Sequence, residues 1–218
     1  MTYTEYVQNY LERQSPGTPI YTEKIADAVA AEYGIDRKKA AAATAVAIKR
    51  IMDKSVLPNL RCYQKGIYYR TAVTPFGETG ISREKLIADK YLLPNKGYET
   101  GLLLLHHMGL TTQMPAEHLL ATNAAKDCVR YDSKLDVSIC PPKAQVTAEN
   151  KAYLQILDAL DLLDKAPIDA KNPYEILADH IKQNRLQYET LLYYADRYYN
   201  RKTIIRLAHT ASQKEAVI

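Results

Sequence analysis

Basic side chains flank a run of alanines in the stretch RKKAAAATAVAIKR, residues 37 to 50. Lysine and arginine bind phosphate oxygens, and small side chains between them let a helix approach base edges and contact thymine methyl groups. These residue types at this spacing therefore suit a helix that enters the major groove of DNA. The alternative is a solvated helix face with alanine as filler, because runs of charge usually lie on exposed surface.

A helical projection at 100° per residue separates two faces of this stretch. The side predicted to face DNA holds Lys38, Ala42, Ala45 and Lys49, with Lys39 and Val46 at its margin. The side predicted to face the protein core holds Ala40, Ala43, Ala47, Ile48 and Ile51. The residues of this helix predicted to bind DNA are Arg37, Lys38, Lys39, Ala42, Ala45, Lys49 and Arg50.

Two further helices precede this one. Residues 4 to 14 carry apolar side chains at helical spacing and end at a Ser-Pro-Gly turn. Thr22 is the predicted N-cap of a second helix that stops at Gly34. Asp36 is the predicted N-cap of the third, which extends to about Lys54. Only a tight turn separates the second and third helices, as in a helix-turn-helix.

A hairpin follows the three helices. The runs LRCY and IYYR, within residues 59 to 70, are β-prone and are joined by a turn that contains glycine. Arg61 and Lys65 are predicted near its tip, where they suit the DNA backbone or the minor groove, although a solubilising charge pair is the alternative. The pattern predicts a winged helix-turn-helix DNA-binding domain over residues 1 to 75.

Net charge is unevenly distributed along the 218 residues. Residues 1 to 75 contain eleven basic and seven acidic side chains, so this part carries the entire net charge of +4. The asymmetry predicts an anionic partner, with nucleic acid preferred to a membrane because no basic helix with a large apolar face occurs there. The chain opens without an apolar signal core, and its longest apolar run, GLLLL, cannot span a bilayer. A cytoplasmic protein without membrane association is expected.

Residues 76 to 218 predict a second domain of the α+β class, with a small antiparallel sheet and C-terminal helices. Ser82 caps one helix, and the run GYETGLLLLHHMGL predicts a buried helix that stops at Gly109. Strands are expected in HLLAT, CVRYD and LDVSI, between residues 118 and 139. An amphipathic helix over residues 147 to 164, capped by Thr147, precedes two more helices between Pro173 and Leu207.

Enzymatic chemistry has little support in this second domain. His106 and His107 are adjacent, so on a helix they point about 100° apart and do not share a metal face. Asp132 and Asp136 flank a turn without the Glu-x-Lys partner that a metal-dependent nuclease needs, so they are interpreted as turn residues. No nucleophile elbow or phosphate-binding glycine loop is present. The three cysteines are widely spaced, which favours reduced thiols. No catalytic residue, metal or cofactor is therefore predicted from these patterns taken together.

The C-terminal segment interleaves tyrosines with Arg197, Arg201, Lys202 and Arg206. Such a mixture suits a second nucleic-acid surface or a protein interface. The alternative is a terminal helix on which Leu191, Leu192 and Ile205 pack inward while tyrosine and arginine cover its edge.

The chain also resembles the AbiEi-type antitoxins of bacterial type IV toxin–antitoxin, or abortive infection, systems. The resemblance rests on G-x-Y-Y-R at residues 66 to 70, on T-x-F-G and G-Y-x-T-G after it, and on G-L-T-T-Q-x-P and A-T-N further along. It covers roughly residues 60 to 165 well and the flanking helices more loosely. The resemblance implies an N-terminal DNA-binding domain that represses its own operon. It also implies a C-terminal domain that acts against a nucleotidyltransferase-like toxin.

The expected function is therefore that of a DNA-binding transcriptional autorepressor and antitoxin. Its expected partners are operator DNA with inverted repeats, bound by a homodimer or a cooperative pair, and the toxin, with direct contact left open. One alternative is an interaction protein that neutralises the toxin by direct contact and uses the winged helix only structurally. A nuclease-like enzyme is the other.

Overall fold

The computed structural model describes residues 1 to 212. The chain is of mixed α+β class and divides into two compact units, the first from Met1 to Leu86 and the second beginning at Ile87. The first unit thus extends beyond the expected boundary at residue 75. The added segment is bonded within that unit, since Glu78 pairs with Arg61 and the Ser82 N–H donates to the Gly17 carbonyl.

The first unit contains three complete helices and five short strands in its described residues. In chain order they are α1 (Tyr3–Glu12), β1 (Ile20–Tyr21), α2 (Thr22–Tyr33), α3 (Arg37–Asp53), β2 (Leu60–Gln64), β3 (Ile67–Arg70), β4 (Val73–Thr74) and β5 (Gly77–Glu78). The three helices and the β2–β3 hairpin expected from the sequence are therefore confirmed as elements.

Local side chains explain where these helices begin and end. Asp36 caps α3 as expected, because its carboxylate accepts a hydrogen bond of 2.9 Å from the Lys38 N–H. Gly34 ends α2 in the left-handed region, at φ 61°, which a glycine adopts without a Cβ clash. The expected cap at Thr22 is wrong: α2 already includes Thr22, whose hydroxyl donates instead to the Gly66 carbonyl at 2.8 Å.

The strands of the first unit form two separate antiparallel sheets. One has the order β1–β3–β2, so the extended residues between α1 and α2 pair with the second strand of the hairpin. The other contains β4 and β5 alone. Gly66, at φ 85°, turns the β2–β3 hairpin, and its carbonyl also accepts the Thr22 N–H at 2.9 Å. The hairpin turn is thereby fixed to the start of α2.

The core of the first unit lies between its three helices and the β1–β3–β2 sheet. Its buried members are Val7, Leu11, Ile20, Ile25, Val29, Ala40, Ala47, Ile48, Ile51 and Leu60. The expected inner face of α3 is confirmed except at Ala43, which is only partly buried, whereas Thr44 is fully buried. Thr44 therefore takes the inner position that the helical projection gave to Ala43.

The second unit combines a four-stranded sheet with helices that follow it. Its first helical segment, α4 (Arg83–Ile87), starts within the first unit and continues as a π-helical turn over Ala88–Leu92. The remaining elements are β6 (Gly97–Thr100), α5 (Gly101–His107), β7 (His118–Thr122), β8 (Arg130–Asp132), β9 (Val137–Cys140), α6 (Lys151–Leu162), α7 (Pro173–Gln183), α8 (Tyr188–Tyr198) and α9 (Arg201–Ser212).

Several elements of this unit differ from expectation. The residues Gly97–Thr100 form a strand and not the start of a helix, because they pair with β7. Thr147 and Asn150 bond to each other before α6 begins at Lys151, so Thr147 is not the N-cap. The segment after Pro173 forms three helices and not two, because α8 ends at Tyr198 and α9 starts at Arg201.

The sheet of the second unit has the order β6–β7–β9–β8 and is mixed. Two of its pairs are antiparallel, as expected, but β7 and β9 run parallel. A parallel pair needs a crossover connection. The segment between β7 and β9 provides it, because it includes β8, which folds back on the far edge of β9.

The core of the second unit surrounds α6. This helix buries Leu154, Ile156, Leu157, Ala159 and Leu160 against the sheet and the neighbouring helices. On the C-terminal helices Leu191, Ala195 and Leu207 complete the core. Leu192 and Ile205 do not pack inward as the alternative for this segment expected, because each is 50% exposed.

Candidate nucleic-acid interface

The outer face of α3 carries the residues first selected for contact with DNA. Ala42, Ala45, Lys38 and Lys49 are all exposed, whereas Ala47 and Ile51 face the core. Lys38, Ala42, Ala45 and Lys49 follow one another at intervals of four, three and four residues, which is one stripe along a helix. The two lysines lie about 16 Å apart along the helix axis, at a rise of about 1.5 Å per residue.

Four cations on this face have no acidic partner in the described part of the chain. They are Lys38, Lys39, Lys49 and Arg50, all exposed. Arg37 differs, since its Nε lies 2.7 Å from Asp27 Oδ1 on α2. That ion pair is solvent-exposed and therefore weak, but it directs the guanidinium toward α2. The basic groups at the two ends of the helix are thus left available for an external anion, with Arg37 the least free.

The middle of the face is entirely apolar. Between Lys39 and Lys49 the exposed side chains are Ala41, Ala42, Ala45 and Val46. Val46 is 50% exposed and stands in line with Lys39 and Arg50, at intervals of seven and four residues. Val46, which the helical projection placed at the margin of the face, is thus exposed.

The β2–β3 hairpin presents a smaller basic surface. Lys65 is exposed in the turn, where Gly66 bonds to Thr22, so this lysine lies close to the start of α2. Tyr63, the last residue but one of β2, is 36% exposed. The predicted position of Lys65 at the tip is confirmed. Tyr63 was not selected from the sequence, in which eighteen tyrosines obscure any single one.

Arg61 does not lie near the hairpin tip. It occupies the second position of β2, at the base of the hairpin, opposite Tyr69. Its guanidinium bonds to both carboxylate oxygens of Glu78, at 3.1 and 3.2 Å, and to the Pro58 carbonyl at 2.7 Å. The placement near the tip was wrong because β2 extends to Gln64, which moves position 61 away from the turn. Arg61 links the β2–β3 hairpin to β5.

The histidines of α5 in the second unit do not belong to a metal site among the described residues. His107 Nδ1 lies 2.9 Å from the Glu99 carboxylate, and the buried Nδ1 of His106 has no hydrogen-bond partner in the described part. No group of three or more His, Cys, Asp or Glu side chains within residues 1 to 212 is placed to hold a metal ion. Among the described helices, none is long and apolar enough to cross a membrane.

Asp132 acts as a turn residue, as expected. One carboxylate oxygen accepts the Lys134 and Leu135 N–H groups, and the other accepts Lys90 Nζ and the Tyr91 hydroxyl, each at 2.7 Å. Partial burial alone would raise the pKa of Asp132, but these hydrogen bonds lower that pKa to about 2. The charged carboxylate therefore ties the β8–β9 turn to the π-helical segment.

Asp158 is a partly buried carboxylate of α6 that accepts hydrogen bonds from two other elements of the second unit. Tyr199 donates to it at 2.6 Å and Thr100 at 2.8 Å, which joins α6 to β6 and to the α8–α9 connection. Burial raises the pKa of Asp158, and the hydrogen bonds oppose this shift. Asp158 therefore has a structural role, because it bonds these elements to one another.

The tyrosine- and arginine-rich C-terminal segment divides into two parts. On α8, Arg197 donates to the Tyr193 hydroxyl at 3.2 Å and lies over the Tyr198 ring. Leu192 of the same helix is 50% exposed. On α9, Arg206 pairs with Asp164 at 2.7 Å, and this hydrogen bond lowers the pKa of Asp164 to about 2. Arg206 of α9 therefore stabilises the fold of this unit, whereas Arg197 and Tyr193 of α8 are exposed.

Compared with protein-family models and with curated proteins, the chain matches none. The candidate interface therefore rests on its own geometry and on the sequence motifs described above.

Proposed function

We propose that the first unit is a winged helix-turn-helix that binds double-stranded DNA through α3. The observation that carries the proposal is the outer face of α3, on which unpaired cations flank an apolar centre. A helix about 10 Å wide fits the major groove, which is about 12 Å across. Lys38 and Lys49 then lie where phosphates border the groove, and the alanines allow close approach to the bases.

The topology of the first unit supports this proposal. The order of helix, strand, two helices and two strands, with the sheet order β1–β3–β2, places a hairpin beside the helix pair. In this arrangement Lys65 would contact the backbone next to the groove that α3 occupies. Arg61 is omitted from the proposed contacts because Glu78 and the Pro58 carbonyl bind it.

We further propose that the chain is a transcriptional autorepressor and the antitoxin of a type IV toxin–antitoxin system. This part of the proposal rests on the resemblance carried by the motifs between residues 66 and 123. Repression would follow from occupation of an operator with inverted repeats by two copies of the chain. The second unit would then supply the action against a nucleotidyltransferase-like toxin.

One observation favours direct contact with the toxin as a second candidate. The exposed side chains Tyr193 and Arg197 of α8 are of the types enriched where protein interfaces carry most of their binding energy. Pull-down of the co-expressed toxin, with Tyr193→Ala as the variant, tests this. Loss of the toxin from the variant supports contact, and absence of the toxin from both samples refutes it.

The DNA-binding proposal is tested by gel shift of the full chain with the DNA upstream of its own gene. A retarded complex that survives excess unrelated duplex is expected. Expression of a reporter from the same upstream DNA should fall when the chain is present. A chain that retards neither the upstream DNA nor any other duplex would refute DNA binding.

The antitoxin proposal has a separate test. If the neighbouring gene encodes a nucleotidyltransferase-like protein, its expression should arrest growth, and co-expression of this chain should restore it. A neighbouring gene of another kind would remove the support for the antitoxin role and leave the DNA-binding proposal intact.

A further inference from the structure

The chemistry available in the centre of the α3 face is limited by its side chains. Ala41, Ala42, Ala45 and Val46 are the only exposed side chains between Lys39 and Lys49, and none of them has a hydrogen-bonding atom. Thr44 lies in the same segment, but it is fully buried on the inner side. The central turns of α3 therefore have no side chain that could hydrogen-bond to a base edge.

The major groove offers one apolar feature that distinguishes bases. Guanine, adenine and cytosine present hydrogen-bond donors and acceptors there, and thymine alone adds a C5-methyl group. Apolar contact with that methyl group is the readout open to alanine and valine side chains. The apolar centre of α3 therefore matches thymine and no other base.

Val46 is the strongest point of this match. Half of the Val46 side chain is exposed. At an exposed helix position a β-branched residue buries little apolar surface, and it has a lower helix propensity than alanine. Two cations lie in line with it, Lys39 seven residues before and Arg50 four residues after, and neither has an acidic partner in the described residues. Lys49 lies three residues after it, and the acid in the same line is Asp53, seven residues after. The charge around Val46 thus suits a polyanion and disfavours an apolar protein surface as its occupant.

We propose that α3 recognises its DNA site through thymine methyl groups, with Val46 as the central contact and Ala42 and Ala45 beside it. This inference rests on the proposed DNA binding and adds the chemical identity of the bases that are read. The sites that the chain prefers should then contain thymines at the positions that face the middle of α3. Phosphate contacts by the flanking lysines fix the register but carry no sequence information.

Selection and base substitution together test this proposal on the full chain. A pool of duplexes with about 20 randomised base pairs, roughly two helical turns, is first enriched by the chain. In the selected duplex each thymine is then replaced singly by deoxyuridine, which removes the C5-methyl group and leaves base pairing intact. Affinity is measured for every substituted duplex.

We expect one or more of these substitutions to weaken binding about fourfold, the effect of exposing one buried methyl group. Val46→Ala should abolish the discrimination at one position, because the two changes remove the same contact. The control is Val73→Ala, since Val73 is also an exposed apolar residue of the first unit, 86% exposed, but lies on β4 and not on α3. This control should discriminate like the parent chain.

Equal affinity for every thymine and deoxyuridine duplex would overturn the methyl readout while DNA binding itself stands. Discrimination that survives Val46→Ala unchanged would overturn the assignment to Val46. A pool that binds but yields no preferred sequence would also overturn the readout. Failure of the chain to retain any duplex is a different result, because it would refute the underlying DNA-binding proposal.

Discussion

Glutamate at Ala45 or at Ala47 of α3 should separate DNA binding from folding. The two alanines lie two residues apart on the same helix, but Ala45 is exposed and Ala47 is 1% exposed. Glutamate is nearly as good a helix former as alanine, so the helix itself changes by only a few tenths of a kcal/mol in either variant. The difference between the variants therefore reports which way each side chain faces.

The expected magnitudes follow from these positions. Ala47→Glu places an unpaired carboxylate in the core of the first unit and should cost about 3–5 kcal/mol, a large share of the roughly 4–13 kcal/mol that a unit of this size has. Ala45→Glu should change the free energy of unfolding by about 0.5 kcal/mol or less. It should nevertheless weaken DNA binding at least 100-fold, because a carboxylate facing phosphates costs several kcal/mol.

Thermal melting by circular dichroism and gel shift on the selected duplex measure the two effects. Ala45→Gln is the control for size, since it adds the same length without the charge and should bind better than Ala45→Glu. If Ala45→Glu melts like the parent chain and binds DNA as tightly, the outer face of α3 is not the DNA-binding surface.

Three further outcomes are expected. Residues 1 to 86 should fold alone and bind the selected duplex, because their core is internal, but should not rescue cells from the toxin; gel shift and growth assays measure this, and rescue would contradict it. Asp132→Asn should cost about 2 kcal/mol at pH 7, because the depressed pKa stabilises the fold above pH 3.8 and this contribution disappears as pH falls toward 2. Urea unfolding at several pH values checks the trend, and a pH-independent cost would refute it. Thr44→Val should stabilise the first unit by about 1 kcal/mol in urea unfolding, because the buried hydroxyl has no partner in the described residues; destabilisation would show that the hydroxyl is satisfied.

Local sequence signals predicted most of the first unit because its elements are set by residues next to them. Asp36 caps α3 through its own neighbour Lys38, and Gly34 ends α2 by its backbone freedom. Thr22 was misassigned because its hydroxyl bonds to Gly66, forty-four positions away, a contact with no local signal. Long-range pairing likewise made Gly97–Thr100 a strand in the second unit.

The parts of the candidate site that depend on helix periodicity could be predicted from the sequence. The parts that depend on contacts with residues far away in the chain could not. The 3.6-residue helical period correctly predicted that Lys38, Ala42, Ala45 and Lys49 are exposed. The pairing of Arg61 with Glu78 requires a second hairpin to fold back on the first, which no spacing along the chain reveals. The exposed fraction of Val46 similarly depends on what packs beside α3 and not on the helix alone.

The salt dependence of DNA binding tests most directly whether the cations of α3 contact phosphates. We expect Lys38→Ala/Lys49→Ala to weaken binding to the selected duplex and to reduce the slope of log affinity against log salt by about 2, or about 0.9 for each lost phosphate contact. Lys126→Ala/Lys171→Ala, which removes the same charge from exposed sites of the second unit, should leave the slope unchanged. A slope that stays the same in the Lys38→Ala/Lys49→Ala variant would contradict the proposed role of α3.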